Sequence, residues 1–320
     1  MSFHLNILDG TSWLAEPQAI RRAVLRLSKM TACPTAREIA AFRQERLAQA
    51  KQAAASAPVA PGGKKTGVIF MHGPISQRAD AETMKLGGTS TEETSAALDV
   101  LMADNSVANI VLHVDSPGGG TYGVEELSDK IYQARGQGKK IWAIADSMAC
   151  SAAFWIASAA DTFAVTPGGD VGSVGVYCVH IDESKALEED GLKVTMVHAG
   201  KFKGEFNNFM PLSEDSRAHL QAQVDATYAK FTDALARNRG VSLKRVQEAF
   251  GQGRTLNANE ALTAKAVDRI QTFDALMAKL LGNKQGTDRM RTEMLQLRQA
   301  EFRRRKVMLE WLPAALPVGK

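Results

Sequence analysis

Residues 109–161, NIVLHVDSPGGGTYGVEELSDKIYQARGQGKKIWAIADSMACSAAFWIASAAD, decide the fold. NIVLHVD (109–115) is a short apolar run ending in a glycine-rich turn, the signature of a buried strand. The turn runs into an amphipathic helix, KIWAIAD (140–146) reads as a second strand, and SAAFWIASAAD (151–161) as a helix of small residues. Two strand–turn–helix units in succession predict parallel strands joined by crossover helices. Working outward, GVIFMHG (67–73) is an earlier strand, and Ser90-Thr-Glu-Glu93 has capping-box spacing that opens a helix to about Met102. DTFAVTP (161–167), SVGVYCVHI (173–181) and KVTMVHA (193–199) are further strands, with a helix at 183–190. Residues 200–212 have no clear period. A long helix follows from a Ser213 cap to about Arg239, then a second capping box at Asn257-Ala-Asn-Glu260 and a last strand in AVDRIQTF (266–273). The expectation is an α/β protein with a doubly wound parallel core.

The composition is that of a globular protein: 320 residues, 45% hydrophobic and 23% charged. No apolar run reaches the length of a membrane span, and MSFHLNILDGTSW lacks the basic-then-apolar pattern of a secretory signal. Three cysteines, Cys33, Cys150 and Cys178, lie far apart with no CxxC spacing, which argues against a disulfide framework or a zinc knuckle and fits a reducing compartment. The net charge of +4 is unevenly spread. Residues 1–66 hold 10 basic and 4 acidic residues, 67–283 hold 20 and 27, and 284–320 hold 9 and 4. An acidic middle therefore carries two basic flanks. The expected division is a mostly helical N-terminal extension with a Pro/Gly linker (1–66), one catalytic domain (67–283) and a basic helical tail (284–320).

Gly118, Gly120 and Gly123 match a GxGxxG pattern between a strand and a helix, with Asp146 at the end of the next strand. That is the context of a dinucleotide site. Against it, an earlier strand precedes the unit, and Ser116-Pro117 adds rigidity that a nucleotide loop does not need. The GKK at 63–65 lacks the earlier glycine and the following Ser/Thr of a phosphate loop. HExxH and any close His/Asp/Glu spacing are absent, so no metal or cofactor is expected.

Ser151 stands where a strand gives way to a helix among Ala149, Ala152 and Ala153. Such a serine either caps the helix or, as a nucleophile, exploits the free N–H groups there. A nucleophile needs a base. The six histidines are scattered; His72 and His113 read as core or rim residues of apolar strands, and no GxSxG surrounds Ser151. Lysine remains, in Gly200-Lys201-Phe202-Lys203-Gly204. A lysine taken out of water can lose its proton near neutral pH; the alternative is two ordinary surface lysines.

The order strand–SPGGG–helix, strand–CSAA–helix, GSVGV, then a lysine loop before a long helix resembles the protease IV / signal peptide peptidase A family of Ser–Lys peptidases, over about residues 67–280. The late segment GRTLNANEALTAKAVDRI is similar to that family's closing motif. The resemblance implies a ClpP/crotonase-like fold with Ser151 as nucleophile and Lys203 as general base, Lys201 being its rival. It further implies Ser173 as the residue orienting the lysine, and N–H groups of Gly118 or Gly119 and of Ala152 as oxyanion donors. The commoner form around the serine is Ala-Ser-Gly-Gly-Tyr. The Cys150-Ser151-Ala152-Ala153-Phe154 here resembles the bacteriophage head-maturation branch, the minor capsid proteases. Cys150 as nucleophile has no histidine to pair with and suits packing better.

The expected function is a serine endopeptidase cleaving scaffold, capsid or portal proteins during phage or prophage head assembly, in the host cytoplasm or the procapsid, as a homo-oligomer. The basic flanks would dock acidic partners or simply be solvated; specific nucleic-acid binding is not expected, although Arg303-Arg304-Arg305-Lys306 could touch phosphates. Rival readings are a cytoplasmic peptide-degrading relative of signal peptide peptidases, a crotonase-type acyl-CoA enzyme, a nucleotide-binding dehydrogenase, and a non-catalytic assembly scaffold.

Overall fold

The computed structural model describes residues 63–78 and 87–282 continuously, together with strand β1 (Trp13–Ala15), Val59 and several helical positions between Ala36 and Ala48. The expected tail at 284–320 and most of the N-terminal extension lie outside the described residues. Within that extension, which reads as mostly helical, Trp13–Ala15 is a strand instead.

Strands β2 (Lys65–His72), β3 (Ile75–Ser76), β4 (Thr89–Ser90), β5 (Val107–Ser116), β6 (Gly118–Gly120), β7 (Lys140–Cys150), β8 (Thr162–Val165), β9 (Asp170–Gly172), β10 (Thr255–Asn257) and β11 (Arg269–Ile270) follow in chain order. The helices are α1 (Thr91–Ala103), α2 (Val124–Ala134), α3 (Ala152–Ser158), α4 (Ser184–Glu189), α5 (Glu214–Arg239), α6 (Leu243–Ala249), α7 (Ala258–Ala264) and α8 (Phe273–Leu281). The main sheet runs β10-β9-β7-β5-β2, with β8 on β7 and β11 on β8. All its ladders are parallel except β9–β10. Helices cover both faces, so the strands are apolar on both sides, as parallel strands must be. One core lies between the sheet and α1, α2 and α3, and contains Ile110, Leu112, Ala143, Phe154 and Trp155. The other, around Val68, Val111, Trp142 and Ile144, is closed by Phe273, Leu276 and Met277 of α8.

The capping signals work as read. The Ser90 side chain accepts from Glu93 N–H, Ser213 from Ser216 N–H, and Asn257 and Glu260 complete a reciprocal capping box. Gly240, in the left-handed region at φ 62°, ends α5. Two expected strands do not form: neither 173–181 nor 193–199 contains a strand, and Tyr177 makes only an isolated bridge. A strand needs a ladder on at least one edge; Val174 and Val176 still reach the main core, but no ladder continues past Gly172. From Gly175 to Asp215 no residue is buried, and Val197 is 93% exposed. This arm closes on itself. Glu183 N–H donates to Asn208 O (2.8 Å), and His180 Nε2 lies 2.8 Å from Asn207 O.

Candidate active site

β7 is the strand that makes the site. After Ala145 it bulges: Val114 pairs with Ala145, but Ser116 pairs with Ala149, so β7 carries two extra residues, and Ser147 there has φ 90°. Beyond the bulge β7 exchanges one neighbour, pairing with β9 (Met148–Cys150 against Asp170–Gly172) where before it paired with β8. Bulges re-aim the chain in this way beside functional sites. The last ladder pair is Cys150–Gly172, and one residue beyond it on each strand stand Ser151 and Ser173. Both have positive φ, 55° and 54°.

Ser151 has ψ −118°, a backbone conformation that costs a non-glycine residue about 1–3 kcal/mol. Its N–H donates to Gly172 O (2.7 Å), and its carbonyl accepts from Trp155 N–H (2.9 Å), which fixes the corner from both sides. The side chain does not cap α3. Ser151 is 1% exposed, and its Oγ has no hydrogen-bond partner. A buried hydroxyl left unpaired costs about 1–3 kcal/mol. The strand–strained serine–helix corner is the geometry of a nucleophile elbow, built here without a GxSxG sequence. In the sequence it is hinted at by the change from strand to helix at Ser151 and by the small residues Ala149, Ala152 and Ala153, which the structure packs at 0% exposure.

The glycine turn leaves β5 directly beside this corner, because Ser116 is the residue paired with Ala149. Ser116 Oγ donates to Gly73 O (2.6 Å) and accepts from Gly118 N–H (3.2 Å). Gly118–Gly120 then form β6, which packs on α3 and pairs with β3. Glycine is required at 119: a Cβ there would lie 1.9 Å from Ile75 O. These glycines are thus a paired strand rather than a free phosphate loop, and Glu125 and Glu126 in the first turn of α2 oppose an anion there.

The helix behind the serine is locked by a residue that sequence reading passes over. Arg135, the residue closing α2, donates to the carbonyls of Ser158 (3.1 Å), Ala159 (2.7 Å) and Ala160 (2.7 Å) at the end of α3, and to Asn238 O (3.1 Å). Burial pulls its pKa below the usual guanidinium value. Asn238 Nδ2 donates to Ser128 Oγ and Ser158 Oγ, and Trp155 stacks on Phe231 at 4.8 Å, so α2, α3 and α5 form one rigid backing.

The lysines are not in the corner. Lys203 and Lys201 are both exposed on the arm, Lys201 Nζ lying 4.7 Å from the Phe202 ring centroid. Ser173 N–H donates to Arg254 O (2.9 Å), holding that residue at the rim of the corner. Cys150 is buried on β7, and burial raises the pKa of the Cys178 thiol, the reverse of an activated thiolate. His113 does find an acid: its Nε2 is 2.9 Å from Asp146 Oδ2 and its Nδ1 is 2.9 Å from His72 Nε2. This chain lies on the α8 face, His113 against Phe273, and does not reach Ser151 Oγ. No group of metal ligands and no helix long and apolar enough to cross a membrane occurs among the described residues.

The site is thus a strained, buried serine at a strand–helix corner of a mostly parallel α/β sheet, beside a glycine strand. Residues 133–285 match Peptidase family S49. The chain is 32% identical over 193 residues to head-tail preconnector protein GP5 of Enterobacteria phage P21, covering 56% of this chain and 38% of that protein. It is 31% identical over 203 residues to capsid assembly protease C of Escherichia phage lambda, 63% of this chain and 46% of that protein. Protease 4 of Haemophilus influenzae is 27% identical over 214 residues, 66% of this chain and 33% of that protein. The chain thus spans less than half the length of these relatives.

Proposed function

We propose that the protein is a serine endopeptidase in which Ser151 is the nucleophile and Lys203 the base, acting on scaffold, capsid or portal proteins of a phage or prophage head, in the host cytoplasm or the procapsid. The observation that carries this is Ser151 itself: buried, strained, and with an unpartnered hydroxyl. A fold gains nothing in stability from that combination and keeps it where the hydroxyl has work to do. The substrate class is drawn from the phage relatives, one of them named as a capsid assembly protease.

In the proposed reaction the Lys203 amine takes the Ser151 proton as Oγ attacks the peptide carbonyl. The oxyanion is held by Ala152 N–H and by a glycine-strand N–H. Gly118 N–H is already given to Ser116 Oγ, which favours Gly119. Collapse breaks the C–N bond, the lysine ammonium protonates the leaving amine, and an acyl-enzyme remains. Water then attacks the ester with the lysine again as base, releasing the acid and restoring Ser151. Ser173, next to the corner, orients the amine.

The base has to be brought in. An amine in water holds its proton at neutral pH and becomes a base only when desolvated. The arm carries Lys203 together with Ile181, Leu192, Val194, Val197, Phe209 and Met210, all exposed. Self-association would cover these side chains and carry the lysine out of water toward a serine. A serine-directed fluorophosphonate separates the peptidase from its rivals. Labelling of Ser151, lost in Ser151→Ala, is the expected result; cofactor binding without labelling would favour an acyl-CoA or nucleotide enzyme, and neither would favour a scaffold. Division into a catalytic domain at 67–283 with docking flanks predicts that deleting 284–320 leaves peptide hydrolysis intact while head assembly fails.

A further inference from the structure

The edge of the glycine strand is not empty. β1 lies on it antiparallel, with Trp13 opposite Gly120, Leu14 opposite Gly119 and Ala15 opposite Gly118. In the small sheet β1-β6-β3-β4, β1 is the outermost strand, and without it β6 would present an open edge beside the Ser151 corner. An open strand edge is a template for any extended peptide, read through the backbone and so tolerant of sequence. Glycines make it more so, because the occupant meets no side chains from β6.

We infer that this edge is the peptide-binding track of the protein and that its own residues 13–15 occupy it as a tethered, exchangeable placeholder for a substrate peptide. Three observations support exchange rather than permanent structure. The ladder is only three residues long, and each of its backbone hydrogen bonds contributes about 0.5–1.5 kcal/mol net. The pairing is antiparallel and at the sheet margin, so the strand can leave without breaking any ladder of the main sheet. And β1 is separated from β2 by about 50 residues including the Pro/Gly-rich stretch at 54–66, so it competes as a tethered ligand at an effective concentration of order millimolar or below. The placeholder keeps an aggregation-prone edge covered, and it makes a partner peptide compete before reaching Ser151.

The inference rests on the peptidase reading for the identity of the competing peptide as substrate and for its kinetic arm; the exchange arm is independent of it. Leu14→Pro/Ala15→Pro in the full chain removes N–H donors from β1 and blocks the ladder. Amide hydrogen exchange of peptides spanning 118–123 is compared between this variant and the wild type, with exchange in β5 and β7 as the check on folding. A synthetic peptide of residues 9–20, DGTSWLAEPQAI, is then added to the variant. Faster exchange at 118–123, reversed by the peptide, is expected, and in a peptide-hydrolysis assay KM falls about three- to tenfold with kcat unchanged. Unchanged exchange at 118–123, or exchange that the peptide does not reverse, would overturn the inference, as would a fall in kcat at constant KM. If no form hydrolyses peptides, the peptidase reading fails, while the exchange data still decide whether β1 occupies an exchangeable track.

Discussion

The two halves of the proposed dyad sit in opposite surroundings. Ser151 is held by β7, β9 and α3, with every residue from Ala149 to Ala160 buried. Lys203 rides on an arm in which no residue from Gly175 to Asp215 is buried. On the proposed reading, the nucleophile is built by the folding of one chain, and the base would be brought in by a later event. The serine pays with strain and an unpaired hydroxyl, which the rigid backing of Arg135, Asn238 and Trp155 can sustain. The arm has one non-glycine residue at positive φ, Phe206 at 63°, and exposes apolar surface. On the proposed reading, a peptidase divided in this way would be inert until its arm is seated.

The contrast can be broken at either side. The largest expected effect is on chemistry: Ser151→Ala should lower peptide hydrolysis by about 10³-fold or more while leaving the melting temperature equal or higher, since it removes a buried unpaired hydroxyl. Lys203→Ala should lower hydrolysis by about 10²–10⁴-fold with no change in stability, and Lys201→Ala should lower it little. Loss only in Lys201→Ala would move the base to Lys201. Next comes the backing. Arg135→Leu strips four carbonyls of a charged donor and should cost about 3 kcal/mol in urea unfolding.

The glycine strand should be selective by position. Gly119→Ala drives a Cβ into Ile75 O and should destabilise by about 1–3 kcal/mol, whereas at Gly120 the nearest such atom is 4.0 Å away and alanine should be tolerated. The smallest effect on stability belongs to the arm. Val197→Asp should change unfolding free energy by less than about 0.5 kcal/mol, yet lower hydrolysis at dilute protein concentrations under the proposed seating of the arm by self-association. A large loss of stability there would mean that the arm is part of the folded body.

The legibility of the sequence follows the same division. Strands β2, β5, β7 and β8 and the caps at Ser90, Ser213 and Asn257 could be read because local pattern and tertiary packing agree there. The arm misled because KVTMVHA has the composition of a strand, and composition does not say whether a neighbouring edge exists. Ser151 was legible as a residue but not as an elbow, since its φ of 55° arises from the bulge and the Gly172 hydrogen bond rather than from a flanking glycine. Arg135 was illegible because its acceptors are backbone carbonyls 23 to 103 residues away. The pairing of β1 with β6 joins segments about 100 residues apart through backbone atoms alone, and no side-chain pattern announces it.

The most direct test is covalent labelling of the native protein by a fluorophosphonate over a range of protein concentrations, located by mass spectrometry of the digested chain. The account predicts one adduct, on Ser151, absent in Ser151→Ala and much slower in Lys203→Ala. An adduct on Ser173 or Cys150, or labelling of Ser151 at the same rate without Lys203, would contradict it.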